Sequence, residues 1–155
     1  MNMTAWDQLA LGTTCPFDHP RPPTTDHWDV VGALKVSSLY LGKNQTYRGH
    51  CSLILDIRHA VRPDQLSAEE WNAFCSDLHL ATGAIMRTVT PDHVNIESLG
   101  NAVPHLHWHI VPRYKNDPRW GLPIWTTPLS AMPDTRLDPV QHAQLLGQLR
   151  GALAA

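Results

Sequence analysis

Apolar and polar positions alternate along much of the chain with a period close to two, which predicts short strands. Residues 28–36 and 37–41 carry β-branched and apolar residues around Gly32 and are followed by a polar turn at 43–48. The run Cys-Ser-Leu-Ile-Leu-Asp-Ile at 51–57 predicts a further buried strand. After residue 66 the period changes: Ser67 and Glu70 have the spacing of a capping box, and Trp71, Phe74, Leu78, Ala81 and Ile85 recur at helical intervals. Residues 94–99 and 106–111 predict two more strands, joined through Gly100 and Asn101. Residues 4–11 suit a short helix, 15–23 are proline-rich and irregular, and 115–135 hold several prolines and two tryptophans without periodicity. A last helix is expected from about Pro139, with Asp138 as its N-cap, toward Leu153.

Composition narrows what these elements serve. A chain of 155 residues, 43% hydrophobic and 17% charged, suits one domain with a substantial core. A formal charge of -2 supplies no basic surface, so extended nucleic-acid binding is not expected and any phosphate recognition is local. No apolar run approaches the roughly 20 residues needed to cross a bilayer, so no membrane partner is expected. Three cysteines, an odd number without framework spacing, and the lack of a signal-peptide pattern lead us to expect a reduced cytoplasmic protein. Cys51 and Cys75 fall inside predicted elements and read as inert small hydrophobes.

Ten histidines change the picture, because three of them, His105, His107 and His109, alternate with Leu106, Trp108 and Ile110. In a strand this puts the imidazoles on one face and the apolar residues on the other, with imidazoles spaced roughly 6.6–7 Å apart. Two chemistries fit such a row. Paired histidines on a strand are common zinc ligands, but His105 and His109 would stand about 13 Å apart, far for one ion. Alternatively the central imidazole attacks an electrophile such as phosphorus, a neighbour fixes its tautomer, and another stabilises the developing charge and helps the leaving group.

The segment Asn95-Ile-Glu-Ser-Leu-Gly100-Asn-Ala-Val-Pro-His105-Leu-His-Trp-His109-Ile-Val-Pro-Arg113 resembles the histidine triad (HIT) family, whose pattern is three histidines separated by single apolar residues. The likeness extends to Asp56-Ile-Arg-His59 and to Cys15-Pro-Phe17, covering roughly residues 15–125. Pro104, Trp108, Pro112-Arg113-Tyr114 and the stretch from Asp117 to Trp125 look like a bacterial branch described as diadenosine polyphosphate hydrolase-like. The resemblance implies a single α+β domain over 1–155, with a core at about 15–125 and a C-terminal extension at 126–155. Its sheet would be antiparallel with about five strands, beside one main helix and a C-terminal helix, and the protein would commonly be a homodimer. It also implies a hydrolase or transferase of a nucleotide phosphoanhydride or phosphoramidate. His107 would form a covalent nucleotidyl-histidine, His109 would contact phosphate oxygens and assist the leaving group, and His105 and His59 would orient the centre. Asn95, Gly100, Asn101 and Arg113 are the nucleotide-binding candidates, although the asparagines also suit turns and Arg113 also suits solvent. Trp120 and Trp125 would line a base pocket or a dimer surface, or simply pack.

Three departures stand out. Ala102 occupies a position where many relatives place a phosphate-contacting hydroxyl, and no acidic residue stands near 41–44 to grip a ribose. Some relatives hold zinc through two cysteines and histidines, whereas Cys15 is followed by Asp18. No cofactor is therefore expected at the active centre, and a structural zinc would need Asp18 or His19 as a substitute ligand. A nucleotide-binding protein without turnover, and a metal-dependent hydrolase built on the histidine cluster, stay open as alternatives.

Overall fold

Five antiparallel strands form one sheet in the order β1-β2-β3-β5-β4, comprising β1 (Trp28–Ala33), β2 (Ser37–Gly42), β3 (Cys51–Leu55), β4 (His93–Glu97) and β5 (His107–Arg113). Among the described residues three α-helices accompany it: α1 (Ala5–Ala10), α2 (Ala68–Val89) and α3 (Pro139–Ala154). This computed structural model describes residues 3–117, 119–127, 131 and 133–155. The expected α+β architecture is present, and no described helix is long and apolar enough to cross a membrane.

The helix boundaries follow the capping chemistry. Ser67 accepts from Glu70 N–H while the Glu70 carboxylate accepts from Ser67 N–H, and Asp138 accepts from the Val140 and Gln141 amides. α2 runs four residues beyond the last periodic apolar position noted in the sequence, to Val89, because Val89 still packs against the core. The strands are trimmed instead. The expected strand at 28–36 ends at Ala33, since 34–36 form the turn into β2, and β3 ends at Leu55. The strand expected at 106–111 starts and stops later, at His107 and Arg113, leaving His105 and Leu106 in the segment that leads into it.

Period-two alternation sorts the sheet into two unlike faces. Leu39 and Leu41 of β2, Leu53 and Leu55 of β3 and Ile110 of β5 are fully buried against Phe74, Ala81 and Ile85 of α2 and Leu145 and Leu149 of α3. Trp108 joins this layer, its ring centre 6.0 Å from both Trp71 and Phe74. The segment expected as an extension thus supplies two fully buried leucines to the main core. The opposite face, bearing His107 and His109, is covered by irregular chain: 15–23, the 45–50 turn and the loop after β5.

Buried polar hubs anchor these irregular pieces. Asp77 on α2, 1% exposed, accepts from the Lys35 and Val36 amides and from the Ser37 hydroxyl, pinning the β1–β2 turn to the helix layer. Arg21, its side chain fully buried, donates to the Phe17 carbonyl, the Tyr40 hydroxyl and the Asp56 carboxylate, fixing 15–23 over the sheet. Replacing Asp77 by Ala would leave the buried Ser37 hydroxyl and the two part-buried amides without their acceptor. We expect a loss of about 3 kcal/mol of stability, read from the urea unfolding midpoint.

Candidate functional site

The His-bearing strand β5 is central, so its imidazoles are boxed in by neighbours on both sides. Ile54 on β3 stands opposite His107, while Ser52 on β3 and Glu97 on β4 flank His109. His107 donates from Nδ1 to the backbone carbonyl of His105 at 2.6 Å, which leaves its Nε2 unprotonated. That nitrogen lies 3.2 Å from Nε2 of His109, and the two ring centres are 4.9 Å apart. Phe17 meets His107 edge-on at 5.1 Å, and Trp125 packs 5.0 Å from His109 while its indole donates to Glu97.

Both imidazoles open onto a cleft of about 450 Å³, within the range of small-molecule sites. Leu99, Ala102, Val103 and Phe17 make much of its wall apolar, and Gly100 and Asn101 complete one side. Gly100 sits at φ 68°, so the β4–β5 connection turns there at little steric cost. None of the described lining residues is a lysine or arginine.

Burial sets the charge state. It pulls the His107 pKa below the ordinary histidine value, against the opposing effect of the His105 carbonyl, and lowers that of His109 to about 3, helped by the neighbouring His50 and His107. His50, just before β3, is lowered to about 4 by burial, and its ring centre lies 5.6 Å from that of His109. The free site is therefore a cluster of neutral imidazoles at pH 7.

His105 and His59 belong to a second, adjoining cluster. Nε2 of His105 donates to the Leu55 carbonyl and Nε2 of His59 to that of Ala10. Their Nδ1 atoms face Asp18 Oδ1 at 3.2 and 2.9 Å, and Cys15 Sγ lies 3.7 Å from Nδ1 of His105. The four donor atoms all lie within 4.8 Å of one another. Two imidazoles tied to carbonyls through Nε2, with Nδ1 lone pairs converging on a thiol and a carboxylate, form a donor set that suits a borderline cation such as zinc. Asp18 takes the place expected for a second cysteine, whereas His19 is half exposed and nearest Asp56. Neither His107 nor His109 belongs to this set, so the three histidines of the motif do not converge on one point.

The remaining candidates lie elsewhere. Arg113, 3% exposed, donates to Asp117, Asn95 and the carbonyls of Leu122 and Arg119, so its guanidinium holds Asp117, Arg119 and Leu122 in place. With Asn95, His93, Glu97 and Trp120 it lines a separate cavity of about 370 Å³. The structure thus groups His107, His109, Gly100 and Asn101 in one cleft, His105 and His59 in the metal-ligand-like cluster, and Asn95 and Arg113 in a third place. Sequence reasoning missed His50. It precedes a strand by one residue and shares no spacing with the triad, so only pairing of β3 with β5 brings it to His109.

The HIT domain family model matches residues 26–116, more than half of the chain. The chain belongs to the HIT domain family. Its fold is similar to that of a histidine triad protein from Bradyrhizobium japonicum, at 24% identity and TM-score 0.73 over 82% of this chain and 91% of that one. A histidine triad protein from Marinobacter aquaeolei is similar at 23% identity and TM-score 0.73, over 83% and 90%. A histidine triad family protein from Mycobacterium smegmatis, described as zinc-bound, is similar at 21% identity and TM-score 0.57, over 94% and 89%. No curated protein matches the chain. Within this HIT domain, the buried neutral histidines carry a pH signature. Above the ordinary histidine value of 6.5 they are neutral folded or unfolded. As pH falls toward about 4 for His50 and about 3 for His109, only the unfolded chain takes up their protons, so stability declines with falling pH over that window. Urea unfolding between pH 7 and 4.5 should show this slope, and His50→Phe should reduce it by about one proton.

Proposed function

We propose that this HIT protein hydrolyses a nucleotide at its α-phosphorus through a covalent nucleotidyl-histidine on His107. The observation that carries the reading is the His107 ring: Nδ1–H is committed to the His105 carbonyl, and the unprotonated Nε2 faces the cleft beside His109. A neutral imidazole so held is a nucleophile ready at pH 7. Attack by Nε2 on phosphorus forms the N–P bond and expels the leaving group; water then cleaves that bond and frees the nucleoside monophosphate and His107. His109 is neutral in the free protein, so it first acts as a hydrogen-bond donor. A bound phosphate raises its proton affinity and lets it protonate the leaving group.

The apolar wall of Phe17, Leu99, Val103 and Trp125 suits a stacked base. With no cationic side chain among the described lining residues, the cleft favours a substrate with one phosphate in the site and an uncharged or amine leaving group. A nucleoside phosphoramidate meets this better than a dinucleoside polyphosphate. Ala102 is consistent with that choice, since it offers no hydroxyl to a phosphate chain.

The Cys15, Asp18, His59 and His105 set fits a zinc ion, and the zinc-bound mycobacterial relative of the same fold supports the reading. A zinc ion there would neutralise the converging lone pairs and brace the backbone carbonyl that holds His107. We expect a metal content of one equivalent per chain by elemental analysis. It should drop in Cys15→Ser with Asp18→Ala, and chelation should lower the melting temperature. Metal absent from protein folded in zinc-supplemented medium would refute this assignment.

Incubation with adenosine 5'-phosphoramidate and with diadenosine polyphosphates tests the chemistry. The phosphoramidate should be turned over faster, and intact-mass analysis of quenched reactions should show a nucleotidyl adduct. His107→Ala should cut turnover at least about a thousandfold while nucleotide affinity stays near that of the unmodified protein. Wild-type turnover in that variant would sink the nucleophile assignment, and tight nucleotide binding without any turnover would favour the non-catalytic reading.

A further inference from the structure

Two aromatic rings bound the His107–His109 pair, one against each imidazole. Phe17 lies edge-on to His107 and Trp125 packs 5.0 Å from His109, the proton donor of the proposed reaction, so Trp125 is the ring at the leaving-group end of the cleft. Its indole is also a partition. Among the described residues Trp125 is the one common to the walls of the cleft and of a neighbouring cavity of about 290 Å³, which Asn44, Thr46 and Tyr47 help to line.

The backbone beneath this indole is fixed independently of the ring. Ile124, 1% exposed, packs with Tyr47 and Val111, and the Thr126 hydroxyl donates to the Pro123 carbonyl, so the short turn at Ile124–Thr126 is pinned on both sides of Trp125. The ring is half-buried and packs on the same small cluster, and it spends its single N–H on the Glu97 carboxylate. An ionised acceptor makes that hydrogen bond one of the stronger kind. Glu97 reaches it because β4 sets this residue opposite His109 in the sheet. With the turn pinned, what can move is the side chain of Trp125, by a change of rotamer once its N–H is released.

We infer that Trp125, latched by Glu97, sets the size of the leaving group. With the latch closed the cleft ends at the indole and takes an amine or another small group; with the indole swung aside, the neighbouring cavity joins the cleft and takes a second nucleoside. The inference rests on the nucleotidyl-transfer reading for the identity of the leaving group, but not for the latch itself. It makes shape, independently of charge, a reason for this chain to favour nucleoside phosphoramidates over dinucleoside polyphosphates.

The latch is tested on the full chain labelled with ¹⁵N-tryptophan, with the Trp125 indole signal assigned by its loss in Trp125→Phe. That N–H should be protected from hydrogen exchange in the wild type, exposed in Glu97→Ala and still protected in Glu97→Gln, whose amide oxygen accepts the same bond. The gate is tested by the ratio of kcat/KM for diadenosine tetraphosphate to that for adenosine 5'-phosphoramidate. Trp125→Ala should raise this ratio at least about tenfold. Glu97→Ala and Trp125→Phe, which break the latch but keep a ring, should raise it less, and combining those two should add nothing beyond the larger single effect. Glu97→Gln should keep the wild-type ratio. An indole N–H still protected in Glu97→Ala, an unchanged ratio in Trp125→Ala, or additive effects of Glu97→Ala and Trp125→Phe overturns the inference.

The same comparison in binding does not depend on turnover. In a His107→Ala background, the affinity for diadenosine tetraphosphate relative to adenosine monophosphate should rise on adding Trp125→Ala, and an unchanged relative affinity overturns the gate. A wild type that turns over no nucleotide refutes the proposed chemistry, and the relative affinities and the indole exchange still decide the role of Trp125 and Glu97.

Discussion

The 2.6 Å hydrogen bond from His107 Nδ1 to the carbonyl of His105 is the constraint on which the centre depends. It fixes a tautomer, and a fixed tautomer makes one nitrogen of His107 a donor and leaves the other with a free lone pair, as the proposed attack requires. The carbonyl is itself held, because the His105 side chain is 2% exposed, tied through Nε2 to Leu55 and surrounded by Cys15, Asp18 and His59. One residue therefore links the chemistry of the cleft to the second donor cluster, through its backbone on one side and its side chain on the other.

Around that link the protein separates stability from function by sheet face. The helix-covered face is apolar and closely packed, with Leu39, Leu53, Ile110, Leu145 and Leu149 fully buried. The other face is roofed by loops, which are held by buried polar hubs in place of extensive apolar packing. Arg21 ties down 15–23 and with it Phe17 and Asp18, Arg113 ties down Asp117, Arg119 and Leu122, and Gln45 ties down the turn that ends at His50. Loops so fixed can carry functional groups with the accuracy of regular elements.

Burial of the imidazoles then has two consequences that pull in different directions. It keeps His107 neutral, as the proposed attack requires, and it keeps His109 neutral, where the proposed leaving group calls for an acid. In the proposed reaction the substrate resolves the conflict, because among the described lining residues no lysine or arginine is present to share a phosphate's charge with the histidines. The same poverty of positive charge weighs against long polyphosphate chains. Arg113, the cation nearest in sequence to the triad, is occupied in holding its own loop.

Much of this was legible in the chain. Period-two alternation determined that Trp108 and Ile110 face the core while His107 and His109 face the opposite side, because a strand has no other way to dispose successive side chains. The capping residues Ser67 and Asp138 determined where α2 and α3 begin, since an N-cap acts within one turn of its own position. These are local rules, and local rules can be read from neighbours in sequence. What only the tertiary structure decided depends on chain separations that no spacing encodes. His105 left the row of histidines to join Cys15, Asp18 and His59, up to 90 residues away in the chain. Arg113 turned from a plausible phosphate ligand into a buried anchor for its loop, and His50 came to lie beside His109 through the pairing of β3 with β5. In each case the deciding quantity was which buried donor found which acceptor, and that is settled only when the whole chain has folded.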